Sequence, residues 1–272
     1  MVFFLCLSII PMAYAFGLAF FREDYGTFSF AGISNFMALT RDPDFLQALF
    51  NTFLYAAVTI PAGLALSLLF ACMLSSGIKG SAFFRALYFT PAVTTAAAIG
   101  YIWLWIYNPR KGILNRVIER AGAEPVSFLS DPDTALLSIA AVRIWIYLGF
   151  QIVIFLAGLQ AIPESLYEAA EVEGASQWQK FRSITLPLLN PYILFLAVVG
   201  TIKTLQMFTE VYIMTPNGGP LGSTRTIVFL VQQTAFESFR KGYAASMTVV
   251  LFVMIFILIL LQIAFLSKKV EY

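Results

Sequence analysis

The groups that do chemistry in proteins are thinly supplied in this chain. Its 272 residues hold 17 Lys+Arg, 15 Asp+Glu, two Cys and no His. Without His, imidazole general-base catalysis and His-ligated metal sites are excluded. Cys6 and Cys72 stand in separate apolar stretches. They form no CxxC pair, two thiols alone make no zinc site, and both read as small hydrophobes. No GxxxxGK(S/T), GxGxxG or HExxH run occurs, so no phosphate-cradling loop or helical metal pair is expected. No cofactor or metal is expected on this chain, and any ATP it depends on must be bound by another. A net charge of +2 is too small to point to nucleic acid.

Three charges interrupt otherwise apolar runs and are the first candidates for function. Arg143, Tyr147 and Gln151 recur at i, i+4 and i+8, the spacing of one helix face. Lys203, Gln206 and Glu210 recur at i, i+3 and i+7, which on an unbroken helix is again one face. Charges out of water are costly and mark ion or solute paths, or pair with one another to hold a bundle together. Both readings stand: a polar lining for a hydroxyl-rich ligand with Trp145, Phe208 and Tyr212 as stacking platforms, or an Arg143–Glu210 pair with Lys203 snorkelling to an interface.

The elements that position these residues follow from composition. Sixty per cent of the chain is AVILMFWYC, 12% is charged and mean hydropathy is +0.82. A soluble globule of this size could not hide that much apolar surface, and 27 Phe with 12 Tyr are the opposite of a disordered composition. The fold class expected is all-α, polytopic, with six transmembrane helices, since a span takes roughly 20 apolar residues. The six stretches are Val2–Phe21, Phe45–Leu74, Ala86–Tyr107, Thr134–Leu159, Leu188–Ile213 and Ala244–Leu266. Ala13-Tyr14-Ala15 has the look of a signal-peptidase site, but no basic residue precedes the first run and it continues to Phe21; a retained span is expected. This divides the chain into a first span with an external segment (1–44), a core of five spans (45–266) and a tail (267–272).

Six spans leave both termini on one side. The positive-inside rule does not choose it. Lys79, Arg85, Lys180, Arg182, Lys268 and Lys269 lie on the side of the termini, against Arg22, Arg41, Arg110, Lys111, Arg116, Arg120, Arg225, Arg240 and Lys241 opposite, six to nine.

The loop 161–187 is the most informative stretch. Pro163 suits a helix start, and Glu164 and Glu168 near that start favour the macrodipole. Leu166, Ala169, Ala170 and Val172 make a compact apolar edge. Gly174 is placed to stop the helix in the left-handed region. Ser176 with Gln179 three residues on forms a capping box for a second helix. Pro187 turns the chain into the fifth span. Two short helices hinged at a glycine are predicted, with small alanines that let another protein's backbone approach.

Glu168-Ala169-Ala170, three residues, Gly174, nine residues, Ile184-x-Leu186-Pro187 resembles the EAA loop of bacterial ABC importer permeases at all seven defining positions. At average residue frequencies a chance match is on the order of 10⁻⁸. Trp145, Gly149, Phe150, the run Phe155–Pro163, Thr215, Gly218-Gly219-Pro220, Ala235-Phe236 and Gly242-Tyr243-Ala244 are similar to the carbohydrate branch, of maltose and glycerol-phosphate type. Thr209, where an Asp is common, and the cations Arg143 and Lys203 depart from that pattern and suit an anionic substrate such as an acidic oligosaccharide or polyol phosphate.

The resemblance implies a type I importer permease in the bacterial inner membrane, multi-pass, with both termini cytoplasmic. It implies a second, non-identical permease, two cytoplasmic ATPase subunits that hold ATP and Mg, and an extracytoplasmic solute-binding protein that delivers a sugar. Glu168, Ala169, Ala170 and Gly174 would contact the ATPase, while Ile184, Leu186 and Pro187 would anchor the second half of the loop. The chain itself would make no bonds. A secondary transporter is the rival of another class, but it needs paired intramembrane acids, and Glu210 stands alone. The polar stretches Asn108–Asp133 and Thr215–Lys241 are either a surface for the binding protein or plain connectors.

Overall fold

The computed structural model describes residues 3, 5–24, 27–75 and 88–266, and these are mostly helical. In order they form α1 (Leu5–Leu18), a hairpin of β1 (Phe21–Asp24) and β2 (Thr27–Phe30), α2 (Ser34–Leu39) and α3 (Pro43–Ser75). A helical turn at 88–93 precedes α4 (Ala96–Ile106), α5 (Ile113–Arg120), α6 (Pro132–Gln160) and α7 (Glu164–Val172). Then come α8 (Gln177–Leu188), α9 (Asn190–Leu205), α10 (Thr209–Met214), α11 (Ile227–Gln232) and α12 (Lys241–Leu266).

Among the described residues, α3, α6 and α12 are long and apolar enough to cross a membrane. The pair α8 and α9, bent by 61°, makes a fourth if it is taken as one span. Burial separates them: 56% of the apolar window of α6 is buried within the chain, against 11% for α12. A helix that is hydrophobic all round yet uncovered by its own chain has lipid or another helix as its counterpart.

Three expectations change. α1 is shorter than Val2–Phe21 because the chain turns into β1 at Phe21. Thr27, Phe28 and Phe30 favour a strand there, and Phe21 pairs with Phe30; this hairpin is an addition to described residues that are mostly helical. The third stretch, whose start at Ala86 lies outside the described residues, is interrupted at 94–95 before α4. The fifth stretch is two helices, not one. α9 ends at Leu205, Phe208 has φ −138, and the Met207 carbonyl accepts from Thr226 Oγ1 at 3.1 Å. An outside hydroxyl takes over where the helical ladder stops. The tail 267–272 and the loop residues Lys79 and Arg85 lie outside the described residues.

By its packing the chain forms two compact units. The first comprises Met1–Ala56, Ala96–Ile139 and Leu205–Phe256, and buried asparagines tie its loops. Asn35 Nδ2 donates to the Ala19 and Phe21 carbonyls. Asn115, 2% exposed, donates to Val126 O at 3.0 Å and accepts from Val126 N at 2.9 Å, so the polar stretch 108–126 is closed on itself. Gln47 and Asn51 of α3 donate to the carbonyls of Leu221 and Gly222, and Arg225 pairs with Asp44 at 2.6 Å.

The second unit comprises Ala57–Thr95, Ala140–Thr204 and Ile257–Tyr272. Its core joins Ala71, Ile152, Phe155, Leu156, Leu189 and Leu196. Gly149 of α6 lets a neighbouring segment cross it. A β-carbon there would stand 2.1 Å from the Tyr88 carbonyl oxygen, closer than any real contact. Asn190 donates to the Leu266 carbonyl at the end of α12, one of the orphan acceptors that every helix C-terminus leaves.

Candidate functional site

The knuckle is built by local rules that can each be checked. Pro163 sits as N-cap with φ −60 and ψ 130, and Glu164 opens α7. The helix ends as a Schellman motif: the Ala175 amide donates to Ala170 O at 2.9 Å and the Gly174 amide to Glu171 O at 3.0 Å. Gly174 has φ +78, the left-handed conformation that glycine adopts without penalty. α8 starts with a complete capping box. The Gln179 amide donates to Ser176 Oγ, and the Ser176 amide donates to Gln179 Oε1 at 2.7 Å. A π turn over Phe181–Thr185 inserts an extra residue before the bend into α9, the kind of helix defect found most often at functional sites.

No residue of α7 is buried. Glu168 and Ala169 are exposed and Ala170 is half-buried, while Leu166 and Val172 present bare apolar surface beside the carboxylates of Glu164, Glu171 and Glu173. Gly174 is exposed at the apex. Of the residues expected to anchor the second half, Ile184 is half-buried but Leu186 and Pro187 are exposed. Thr185 and Leu189 are the buried side chains instead. The π turn shifts the phase of the helix, so the buried face falls on them rather than on the motif's Leu and Pro.

Two ties brace the knuckle. Tyr167 Oη and Thr185 Oγ1 share a hydrogen bond of 2.8 Å. Lys180 Nζ lies 2.6 Å from Glu171 Oε1. Of these four residues only Lys180 carries a sequence expectation, as a basic residue on the side of the termini. The signal for the ion pair was available, as opposite charges nine residues apart around a helix-stopping glycine, but only the turn angle brings them together.

The second group of candidates centres on α6 and α9. A cavity of about 20 Å³ is lined by Thr59, Arg143, Tyr147, Gln151, Lys203 and Thr204, among others. Arg143, 7% exposed, donates through Nη2 to the Lys203 carbonyl at 2.6 Å, and its guanidinium lies 4.2 Å from the Tyr147 ring centroid. Its position has a physical cause: Lys203 is in the last turn of α9, whose carbonyls lack intrahelical donors and attract a cation. Thr59 Oγ1 and Gln151 Oε1 are buried without a hydrogen-bond partner among the described residues.

Arg143, Tyr147 and Gln151 are thus gathered on one wall, as their spacing predicts. Lys203, Gln206 and Glu210 do not share a face, because α9 stops at Leu205. Lys203 is exposed, Gln206 sits exposed in the break, and Glu210 is buried in the first turn of α10. Trp145 is 41% exposed, whereas the rings of Phe208 and Tyr212 lie tilted against each other at 5.1 Å beside Phe229.

Long apolar helices, a braced and exposed helical knuckle and polar side chains gathered within the bundle describe a transport subunit of a membrane assembly. The chain belongs to the family of binding-protein-dependent transport system inner membrane components, which residues 31–271 match. It is 33% identical over 267 residues to the sn-glycerol-3-phosphate transport system permease protein UgpA of Agrobacterium fabrum, covering 96% of this chain and 90% of that one. It is 34% identical over 238 residues to the lactose transport system permease protein LacF of Rhizobium radiobacter, covering 86% and 80%. It is 31% identical over 262 residues to the arabinooligosaccharides transport system permease protein AraP of Bacillus subtilis, covering 96% and 83%. Its fold matches a chain from the crystal structure of a bacterial ABC transporter involved in the import of the acidic polysaccharide alginate, with a TM-score of 0.85 over 99% of this chain and 93% of that one at 21% identity. The protein is therefore a multi-pass permease subunit of an ABC importer, not an enzyme, and the family reading made from the loop 161–187 holds.

Proposed function

We propose that this permease imports a carbohydrate, with the knuckle 164–188 as the element that couples it to ATP hydrolysis on partner chains. The observation that carries this is the exposure of α7 in a braced knuckle. Glu168, Ala169 and Ala170 form an uncovered, acidic-edged surface, rigidly joined through Gly174 to the helix that leads into α9. A surface helix uncovered by its own chain and fixed at both ends transmits a push from a partner. Two cytoplasmic ATPase subunits supply the push, a second permease completes the bundle, and an extracytoplasmic binding protein delivers the solute. In this reading six spans place both termini and the knuckle in the cytoplasm, and ATP selects one of two bundle packings.

The polar wall of Arg143, Tyr147 and Gln151, with Lys203 nearby, faces the solute route, and Gln206 and Glu210 are further proposed contacts for the solute. The cavity there, about 20 Å³, holds about one water or a single hydroxyl. The relatives named for lactose and arabinooligosaccharides favour a neutral sugar. A polyol phosphate is the second reading, favoured by the glycerol-phosphate relative and by Arg143 and Lys203 lining one cavity.

The test is reconstitution in liposomes with the partner permease, ATPases and binding protein. Uptake of radiolabelled lactose, arabinotriose and glycerol 3-phosphate is compared with and without ATP. ATP-dependent accumulation of a sugar is expected. Accumulation that persists without the ATPases would refute the coupling role. Uptake of glycerol 3-phosphate alone would move the substrate to the phosphate.

A further inference from the structure

Lysine is among the residues least often buried, because its ammonium loses water. Lys180 is only 6% exposed although it belongs to the surface knuckle, and its ammonium meets Glu171 Oε1 at 2.6 Å, with Glu171 63% exposed. The two residues lie on different helices, on either side of Gly174. On one continuous helix, residues nine apart would be separated by about 13 Å of rise. The contact therefore depends on the turn at Gly174.

We propose that Lys180 and Glu171 are positioning residues for coupling: their ion pair is a strut that locks the angle between α7 and α8, so that force on α7 reaches α9 instead of being lost at the glycine. The argument is mechanical. Gly174 gives the knuckle its turn, but glycine resists bending least of all residues. A brace across the hinge has to be anchored on one side and reach the other. Lys180 is the anchored end, held in the interior of its own unit, and Glu171 is the reaching end, on the surface of the docking helix. The hydrogen bond between Tyr167 and Thr185 adds a second tie between the same two helices. The pair draws its strength from burial of the cation, since removing the carboxylate leaves a buried charge uncompensated. Glu168, by contrast, is free of this brace and remains available to a partner.

This inference rests on the coupling role proposed for the knuckle, and the test separates the two. The full complex with its ATPases is placed in nanodiscs and trapped with MgATP and vanadate. Bound ADP reports closure of the ATPases, and amide hydrogen exchange is read over Pro132–Gln160 and Asn190–Leu205. In the unchanged complex, trapping alters exchange in both helices. Lys180→Met, which keeps the apolar stem, and Glu171→Gln are expected to retain ADP trapping while the response of the two helices falls about tenfold. Lys180→Arg, which keeps the charge, restores the response. A full helix response in Lys180→Met, with trapping intact, overturns the strut. Failure of both Lys180→Met and Glu171→Gln to assemble also overturns it, by making the pair a requirement of folding rather than of coupling. No response in the unchanged complex would strike the coupling role itself, and it is distinguished by appearing without any substitution.

Discussion

At the scale of single residues, Gly174 and Asn51 show how different kinds of constraint are read. Gly174 has φ +78 with open space around the place of a β-carbon, so its requirement is conformational and not steric. Gly174→Ala is expected to cost about 1–2 kcal/mol and to lower uptake only in part. Gly174→Pro, whose ring holds φ near −65°, is expected to abolish uptake while the protein still reaches the membrane, as a transport assay beside membrane fractionation will show. Asn51 is 5% exposed and donates to the carbonyls of Gly222 and Arg225. Asn51→Ala leaves both acceptors to find other donors and is expected to cost about 1–3 kcal/mol, read as a lower thermal midpoint of the detergent-solubilised protein. The turn at Gly174 and the capping box of Ser176 and Gln179 were legible in the sequence because they obey local rules of capping and turning, whereas the seven motif positions were read from a family resemblance. The pairing of Glu171 with Lys180 was not legible, because opposite charges nine apart meet only once the turn angle is known.

At the scale of elements, packing decides what periodicity leaves open. Gly149→Ala places a β-carbon 2.1 Å from the Tyr88 carbonyl, so α6 and the segment at 88–89 must separate. A loss of about 3 kcal/mol is expected from such overpacking, seen as a depressed thermal midpoint. Gly17→Ala in α1, where nothing lies within 4 Å, is the matching control: it is expected to be neutral or to stabilise by up to about 1 kcal/mol through helix propensity. The helix expected to carry Lys203, Gln206 and Glu210 on one face illustrates the limit of sequence spacing. No Pro or Gly marks a break in Leu205–Phe208, but the Thr226 hydroxyl, nineteen residues on, donates to the Met207 carbonyl. A long-range hydrogen bond of that kind leaves no periodic trace in the sequence. The strands Phe21–Asp24 and Thr27–Phe30 were missed for a related reason, since four residues each are too short for a period-two pattern to stand out.

At the scale of the whole molecule, the chain is one subunit of an ABC importer. Glu168→Lys reverses the charge at the centre of the exposed face of α7. It is expected to leave membrane insertion and thermal stability unchanged and to reduce ATP-driven uptake by at least about tenfold, measured in proteoliposomes of the complete importer. Normal uptake by this variant would remove α7 from the contact with the ATPases. The sparse burial of α12 among the described residues, 11% of its apolar window, belongs to the same scale: a helix apolar all round and so little covered has lipid or another helix as its counterpart.

The sequence by itself determined that this protein lives in a membrane, that it carries no catalytic constellation, and that a hinged knuckle follows α6. Composition and local capping chemistry act over a few residues at a time, and nothing distant overrides them. Only the tertiary structure decided where α9 breaks, that Arg143 caps its last turn, that Thr185 and Leu189 seat the knuckle, and that Lys180 is buried against Glu171. Each of those depends on groups from separate segments arriving at one place, where the cost of burying an unsatisfied carbonyl or an unpaired cation selects the partner.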